Sequence, residues 1–223
     1  LVENLSQLSE LKWIRLMYIH PGQFQPHFIK LFKIPKVLPY LEMPIQHINN
    51  RILEAMGRGS TSKNYIKELI CSLRNKYPDI ILRTTVMVGF PNETEDEFLE
   101  LLDFIKETKF ERLGAFIYSR EEGTKAAKLK DNIDIETKKQ RHEKIMQAQQ
   151  QIAFEWAKNQ IGKKLKVVIE AQVEENVWLA RSYGEAPEID PYIYIIGEHA
   201  TLGNFYKISI IKQDGYDLIG KFI

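Results

Sequence analysis

The chain has 223 residues, 44% hydrophobic and 27% charged, with a formal net charge of +1. This composition fits one large domain or a medium and a small one, and it excludes wholesale disorder and a uniformly basic nucleic-acid binder. Its single cysteine, Cys71, excludes an internal disulfide and any zinc or cluster site built from several of its own cysteines.

No apolar run approaches the roughly 20 residues of a membrane span. The first residues are an amphipathic stretch and not a signal peptide. The expected setting is therefore cytoplasmic, with no membrane partner. The sequence starts at Leu1 without an initiator Met, so a longer polypeptide is expected, with further units before Leu1.

In the first half, strand-like and helix-like segments alternate. Residues 13–19 read as a strand ended by His20, Pro21 and Gly22. A short helix is expected over 26–32, a second strand over 38–43, and a short helix over 50–56 closed by Gly57. A longer helix is expected over 62–76, stopped by Pro78. Residues 80–88 are a nearly continuous β-branched and apolar run, as in a strand buried on both faces. Thr94 and Glu97 form a capping-box pattern opening a helix to about Lys106, and 113–118 reads as a fourth strand. This alternation is the signature of parallel βα units, and four are too few to close a barrel.

From Asp134, a good N-cap, a helix is expected over 135–159, ending near Gly162. The rest reads as all-β, with strands at 164–171, 177–181, 189–196, 205–211 and 218–222. Five short strands in about 60 residues suggest a small OB-like barrel. The expected domains are thus 1–158 and 159–223.

In parallel βα architectures, chemistry collects just after the strands. Those positions hold His20 and Pro21; then Pro44, Gln46 and His47; then Gly89, Phe90 and Pro91; then Tyr118, Ser119, Glu121 and Glu122. Each also has a plainer reading as a turn or as loop support. Gly89 could admit a ligand to the backbone, and the helix behind Thr94 offers free N–H groups. Arg15 and Arg83 lie inside apolar strands, where a guanidinium needs a structural counter-ion or a ligand carboxylate.

Three blocks carry a more specific signal. The first is Tyr40-Leu41-Glu42-Met43-Pro44-Ile45-Gln46-His47, with Arg51-Ile52-Leu53 and Met56-Gly57-Arg58. The second runs from Leu82 to Glu95 through Gly89-Phe90-Pro91-Asn92-Glu93. The third is Leu113-Gly114-Ala115-Phe116-Ile117-Tyr118-Ser119, with Glu122-Gly123-Thr124. In this order they resemble the radical-SAM methylthiotransferases over nearly the whole chain. Gly162-Lys163-Lys164 and the β-rich tail look like that family's TRAM domain. The stretch from Arg181 to Asp190, through Ala186-Pro187-Glu188, resembles the branch that modifies an aspartate of a small-subunit ribosomal protein, protein S twelve.

The resemblance implies an α/β fold: a partial parallel (β/α) radical-SAM barrel followed by a small OB-like TRAM barrel. It implies a transferase that adds a methylthio group to the β-carbon of an aspartate, using S-adenosylmethionine and two 4Fe-4S clusters. Family members bind one cluster through a Cys-x3-Cys-x2-Cys loop that is absent from this sequence. The clusters are therefore expected outside the chain, no metal ligands are assigned within it, and the chain alone is expected to be inactive. Glu42 stands where many members have Asp.

The expected cosubstrate contacts are Arg15, Gln46, His47, Arg83, Gly89, Phe90 and Pro91. The expected substrate-recognition residues are Tyr118, Ser119, Arg181, Glu185, Glu188 and Asp190. No catalytic residue is assigned.

From Gln160 to Ile223 there are seven Lys/Arg and nine Asp/Glu, a net of −2, against 24 and 21, or +3, in the remainder. A mildly acidic tail suits a basic ribosomal protein, whereas a tRNA-gripping module should be basic. Ribosome or RNA contact through the TRAM region remains an open expectation. The alternatives are a tRNA adenosine methylthiotransferase and a non-catalytic TRAM-containing binding protein.

Overall fold

The computed structural model describes all residues, Leu1–Ile223. They form two compact units, Leu1–Gln150 and Gln151–Ile223.

The first unit opens with a short helix α1 (Val2–Ser6) and carries four strands: β1 (Ile14–Leu16), β2 (Val37–Glu42), β3 (Ile81–Val88) and β4 (Arg112–Ile117). They pair in parallel in chain order. The connections carry a 3-10 stretch (Pro26–Lys33), α2 (Asn50–Ala55), α3 (Lys63–Lys76) and α4 (Glu95–Thr108). Ser62 caps α3 by accepting from Tyr65 N. Thr94 and Glu97 make the full reciprocal capping box of α4, which satisfies two otherwise orphaned N–H groups. The buried positions Ile66, Leu69, Ile70 and Leu73 of α3 follow helical spacing. Phe98, Leu101, Leu102 and Ile105 do the same in α4.

β1 is shorter than the apolar run suggested, because Tyr18 turns to a positive φ of 57° and leaves the ladder. β3 is not buried on both faces. Leu82, Thr84, Val86 and Val88 are buried, whereas Arg83, Thr85 and Met87 are half-buried. The sheet therefore has one covered face and one partly open face.

Helix α5 (Ile135–Lys158) begins at Asp134, whose carboxylate accepts from Thr137 N at 2.8 Å. The second unit contains β5 (Lys164–Glu174), β6 (Val177–Arg181), β7 (Ile193–Ile196), β8 (Phe205–Asp214) and β9 (Asp217–Phe222). They close into a barrel in the order β5-β6-β7-β9-β8. Alternate residues point inward, so Val167, Ile169, Trp178, Ala180, Ile193, Ile195, Ile208, Ile210 and Leu218 fill the core. The third of these strands starts at Ile193, not at 189, because residues 182–190 are held in a loop by their own hydrogen bonds.

Candidate functional site

The site is built where β2, β3 and β4 end. After β2, the buried Thr84 hydroxyl donates to Met43 O at 2.9 Å and accepts from Ile45 N at 3.3 Å. That fixes a kink through Pro44. It delivers Gln46, at φ 66°, back onto β3, where its N–H donates to Thr85 O and its carbonyl accepts from Met87 N, both at 2.8 Å. The Gln46 side chain is thereby placed at the rim.

The turn after β3 is held by a buried carboxylate. Glu93 accepts from Gly89 N at 2.8 Å, from Arg141 Nη1 of α5 at 2.6 Å, and from His47 Nε2 at 3.2 Å. The His47 Nδ1 accepts from Asn49 N at 3.0 Å, so the donated proton sits on Nε2. Side chains of His47 and Glu93 are fully buried, and Arg141 is 7% exposed. A buried charge is tolerated only with a partner and satisfied hydrogen bonds. Here the partners come from three elements and lock Gln46, His47 and the Gly89 turn together.

Lys138 of α5 lies over Gly89: a Cβ there would sit 2.4 Å from Lys138 Cγ. Its ammonium donates to Asp131 at 2.7 Å and stands 5.2 Å from the Tyr118 ring centroid. Two expectations are corrected by this geometry. His47 braces the loop and does not reach the rim. Gly89 makes room for a lysine stem, not for a ligand.

Beside this turn opens a cleft of about 550 Å³. Met56, Met87, Phe90 and Tyr118 form its apolar wall, and Gln46, Glu54, Arg58, Ser119, Glu121 and Lys125 add polar and charged groups. Phe90 and Tyr118 meet edge to face, with centroids 5.3 Å apart. Arg58 is delivered by the turn at Gly57, φ 77°, and donates to Pro44 O at 3.1 Å. It has no carboxylate partner in the structure, and burial lowers its pKa. His20 is likewise lowered, first by burial and then by the Arg58 charge. An apolar, aromatic-edged wall beside an uncompensated guanidinium can hold a planar heterocycle together with an anionic group. Pro91, the last of the turn residues, is buried and does not line the cleft.

The two strand arginines have protein partners. Arg15 stacks over the Tyr40 ring at 4.2 Å, and Arg83 Nε lies 3.7 Å from Glu42 Oε1. Neither lines the cleft. Cys71 is exposed on α3 and accepts from Asn75 Nδ2 at 3.4 Å.

In the barrel unit, Glu185 is buried and accepts from Ser182 N and Oγ at 2.9 and 2.6 Å. Asp190 is buried and accepts from Ala186 N at 2.8 Å. Both carboxylates are consumed inside the loop and are unavailable to a partner, which corrects the expectation for them. Arg181 pairs with Glu170 at 2.8 Å. Glu188, at φ 64°, stands at the exposed tip between Pro187 and Ile189.

Sequence reasoning missed Glu93, Lys138 and Arg141 as the frame of the site, and Arg58 as a cation on its wall. Arg58 belongs to the Met56-Gly57-Arg58 block, whose pattern marks the segment and not this side chain. The arginine on α5 offered no signal, because it meets Glu93 across 48 residues of chain.

Residues 1–105 match the radical SAM superfamily, and residues 161–223 match the TRAM domain. The chain is 46% identical to the ribosomal protein uS12 methylthiotransferase RimO of Caldicellulosiruptor saccharolyticus, over 100% of this chain and 51% of that protein. It is 43% identical to the protein of the same name in Clostridioides difficile, over 99% of this chain and 50% of that one. The chain therefore spans about half the length of the curated relatives it matches. Among solved structures, the radical SAM enzyme coproporphyrinogen III oxidase of Escherichia coli shares the fold, with a TM-score of 0.51 at 17% identity, over 65% of this chain and 32% of that one.

Proposed function

We propose that the chain belongs to the radical SAM methylthiotransferase family and forms the cosubstrate- and substrate-facing part of an enzyme that methylthiolates an aspartate of ribosomal protein S twelve in the cytoplasm. The observation that carries this reading is the cleft at the ends of β2, β3 and β4. Met87, Phe90 and Tyr118 offer an apolar, aromatic-edged wall to an adenine, and Arg58 offers a guanidinium to a carboxylate. These residues fit S-adenosylmethionine, which when bound supplies the methyl group and the hydrogen-abstracting chemistry. Within the chain, Gln46 and Ser119 orient the ligand by hydrogen bonding, and the apolar wall excludes water.

The residues do not fit an iron–sulphur cluster: the lone Cys71 lies exposed on α3, and no three His, Cys, Asp or Glu converge. No step is assigned through a cluster held by this chain. The working division of labour is a radical-SAM portion, 1–158, and a TRAM portion, 159–223, in which the exposed Pro187–Glu188–Ile189 tip faces the basic protein substrate.

Loss of one charge-assisted hydrogen bond costs about 1.5–3 kcal/mol, or roughly tenfold or more in affinity. In the full-length gene product, Arg58→Ala therefore weakens S-adenosylhomocysteine binding about tenfold by calorimetry, with cluster content unchanged. Phe90→Ala weakens it comparably. Unaltered binding in both variants would overturn the placement of the cosubstrate.

A further inference from the structure

Strand β4 is the last in its sheet and pairs only with β3. Its other side is therefore an edge. Tyr118 N donates to Val88 O at 2.9 Å. Strand alternation then turns the N–H and C=O groups of Phe116 and Gly114 to β3 as well, and those of Leu113, Ala115 and Ile117 to the edge. One bond seen at that edge agrees: His142 Nε2 of α5 donates to Ala115 O at 3.1 Å. The edge amides of Ala115 and Ile117 have no partner in the chain.

An open edge is a template for another chain, and proteins ordinarily blunt it with short strands, charges or proline. The opposite edge follows that rule: β1 has three residues, with Arg15 at its centre. β4 does not. After Arg112 it reads Leu113-Gly114-Ala115-Phe116-Ile117, with no charge and no proline. It also carries the only exposed strand residue of the unit, Phe116, which is 60% exposed.

Phe116 stands opposite Met87 in register and shares its face of the sheet, the face from which Met87 lines the cleft. Gly114 stands opposite Thr85 on that face, and a Cβ added to it would lie 3.9 Å from Phe116 Cε2. The ring thus leans over Gly114 and stays open to solvent. Tyr118 and Ser119 follow directly and line the cleft. An extended segment laid along this edge, about 4.8 Å from β4, passes Phe116 and arrives beside the cleft. Every second side chain of such a segment points to the Met87 face.

The unmatched groups are main-chain amides and carbonyls at strand spacing, and their complement is another main chain. We propose that β4 takes up an extended segment of the protein substrate as an added strand. Phe116 packs on one side chain of that segment, and the aspartate is carried to the cleft. This inference rests on the proposed function, since the occupant is the segment of ribosomal protein S twelve that bears the aspartate. Backbone pairing supplies affinity with little regard for sequence, while Phe116 and the cleft supply selection.

The test is amide hydrogen exchange of the full-length gene product, read from Leu113 to Tyr118 with and without ribosomal protein S twelve. The Gly114, Phe116 and Tyr118 amides are expected to exchange slowly in both states. Those of Ala115 and Ile117 exchange fast in the free enzyme and about tenfold or more slowly in the complex. Ile117→Pro removes an edge amide and leaves the β3–β4 ladder intact, so it raises KM for S twelve by roughly three- to tenfold. Phe116→Ala, which alters no backbone group, raises it comparably, and both variants bind S-adenosylhomocysteine as the parent does. Slow exchange at Ala115 and Ile117 in the free enzyme, whether from the rest of the polypeptide or from a second copy, would overturn the proposal. So would a parent-like KM in both variants. A parent that neither binds nor modifies S twelve would sink the proposed function and this inference together. A parent that modifies S twelve while these two amides stay fast would sink this inference alone.

Discussion

Glu93 shows how a site can be governed by a residue that never touches it. Its two oxygens hold the Gly89 amide, the His47 ring and the Arg141 guanidinium, all within 3.2 Å. The same turn explains Gly89. Its φ of 70° is strained for any L side chain, and the space where a Cβ would go is filled by Lys138. Gly89→Ala is expected to cost about 1–2 kcal/mol for the left-handed backbone and about 1–3 kcal/mol for the overlap. In urea unfolding, Gly89→Ala/Lys138→Ala should regain the second part and not the first. A double variant no more stable than Gly89→Ala alone would show that Lys138 is not what excludes the side chain.

A second residue-scale prediction concerns acid. Arg51 donates to both Glu97 oxygens, at 2.6 and 2.5 Å, and with the Thr94 amide and hydroxyl it holds the Glu97 pKa down at about 2 from an ordinary 4.5. A carboxyl with a depressed folded pKa adds stability that is fully present above its unfolded value and is lost as pH falls. The contribution therefore disappears between about pH 4.5 and about 2. Glu97→Gln should flatten the stability-against-pH curve in that window and leave its shape above pH 5 unchanged. Melting curves over that range decide the matter; an unchanged acid limb contradicts the assignment.

At the scale of elements, the helices were legible where local chemistry decides them. Thr94 and Asp134 cap as their sequence positions required, and Ser62, which reads as the first helical residue, is the cap of α3. The barrel strands were legible because a small closed barrel imposes alternation, which bulges in β5 and β8 interrupt only locally. Three features were not. β1 ends early because Tyr18 turns out of the extended region. β3 reads as a doubly buried strand in sequence, since Met87 and Thr85 look like core residues whether or not a layer covers them. The loop before β7 contains acids that read as recognition residues. Yet Ser182 and Glu185 are three apart and Ala186 and Asp190 four apart, the distances at which a carboxylate closes its own loop. The strand-end rule located the rim and named Gln46, Phe90, Tyr118 and Ser119, all of which line the cleft. It had no means of naming residues on α5, whose partners lie far back in the chain.

For the whole molecule, net charge proved a poor guide to surface. The count of −2 over Gln160–Ile223 does not show that Lys164, Lys166, Lys207, Lys212 and Lys221 are exposed on β5, β8 and β9, because a barrel sorts side chains by register and not by sequence average. The catalytic account rests on the chain acting with a cluster-bearing segment, in keeping with its span of about half of each relative. It is tested most directly by mass spectrometry of ribosomal protein S twelve after incubation with the anaerobically reconstituted full-length gene product, S-adenosylmethionine, a sulphur source and a reductant. The account predicts a methylthio increment on one aspartate, abolished by Arg58→Ala/Phe90→Ala with cluster content retained. An unmodified protein alongside methylthiolated adenosine in tRNA, or full transfer by the double variant, would contradict it.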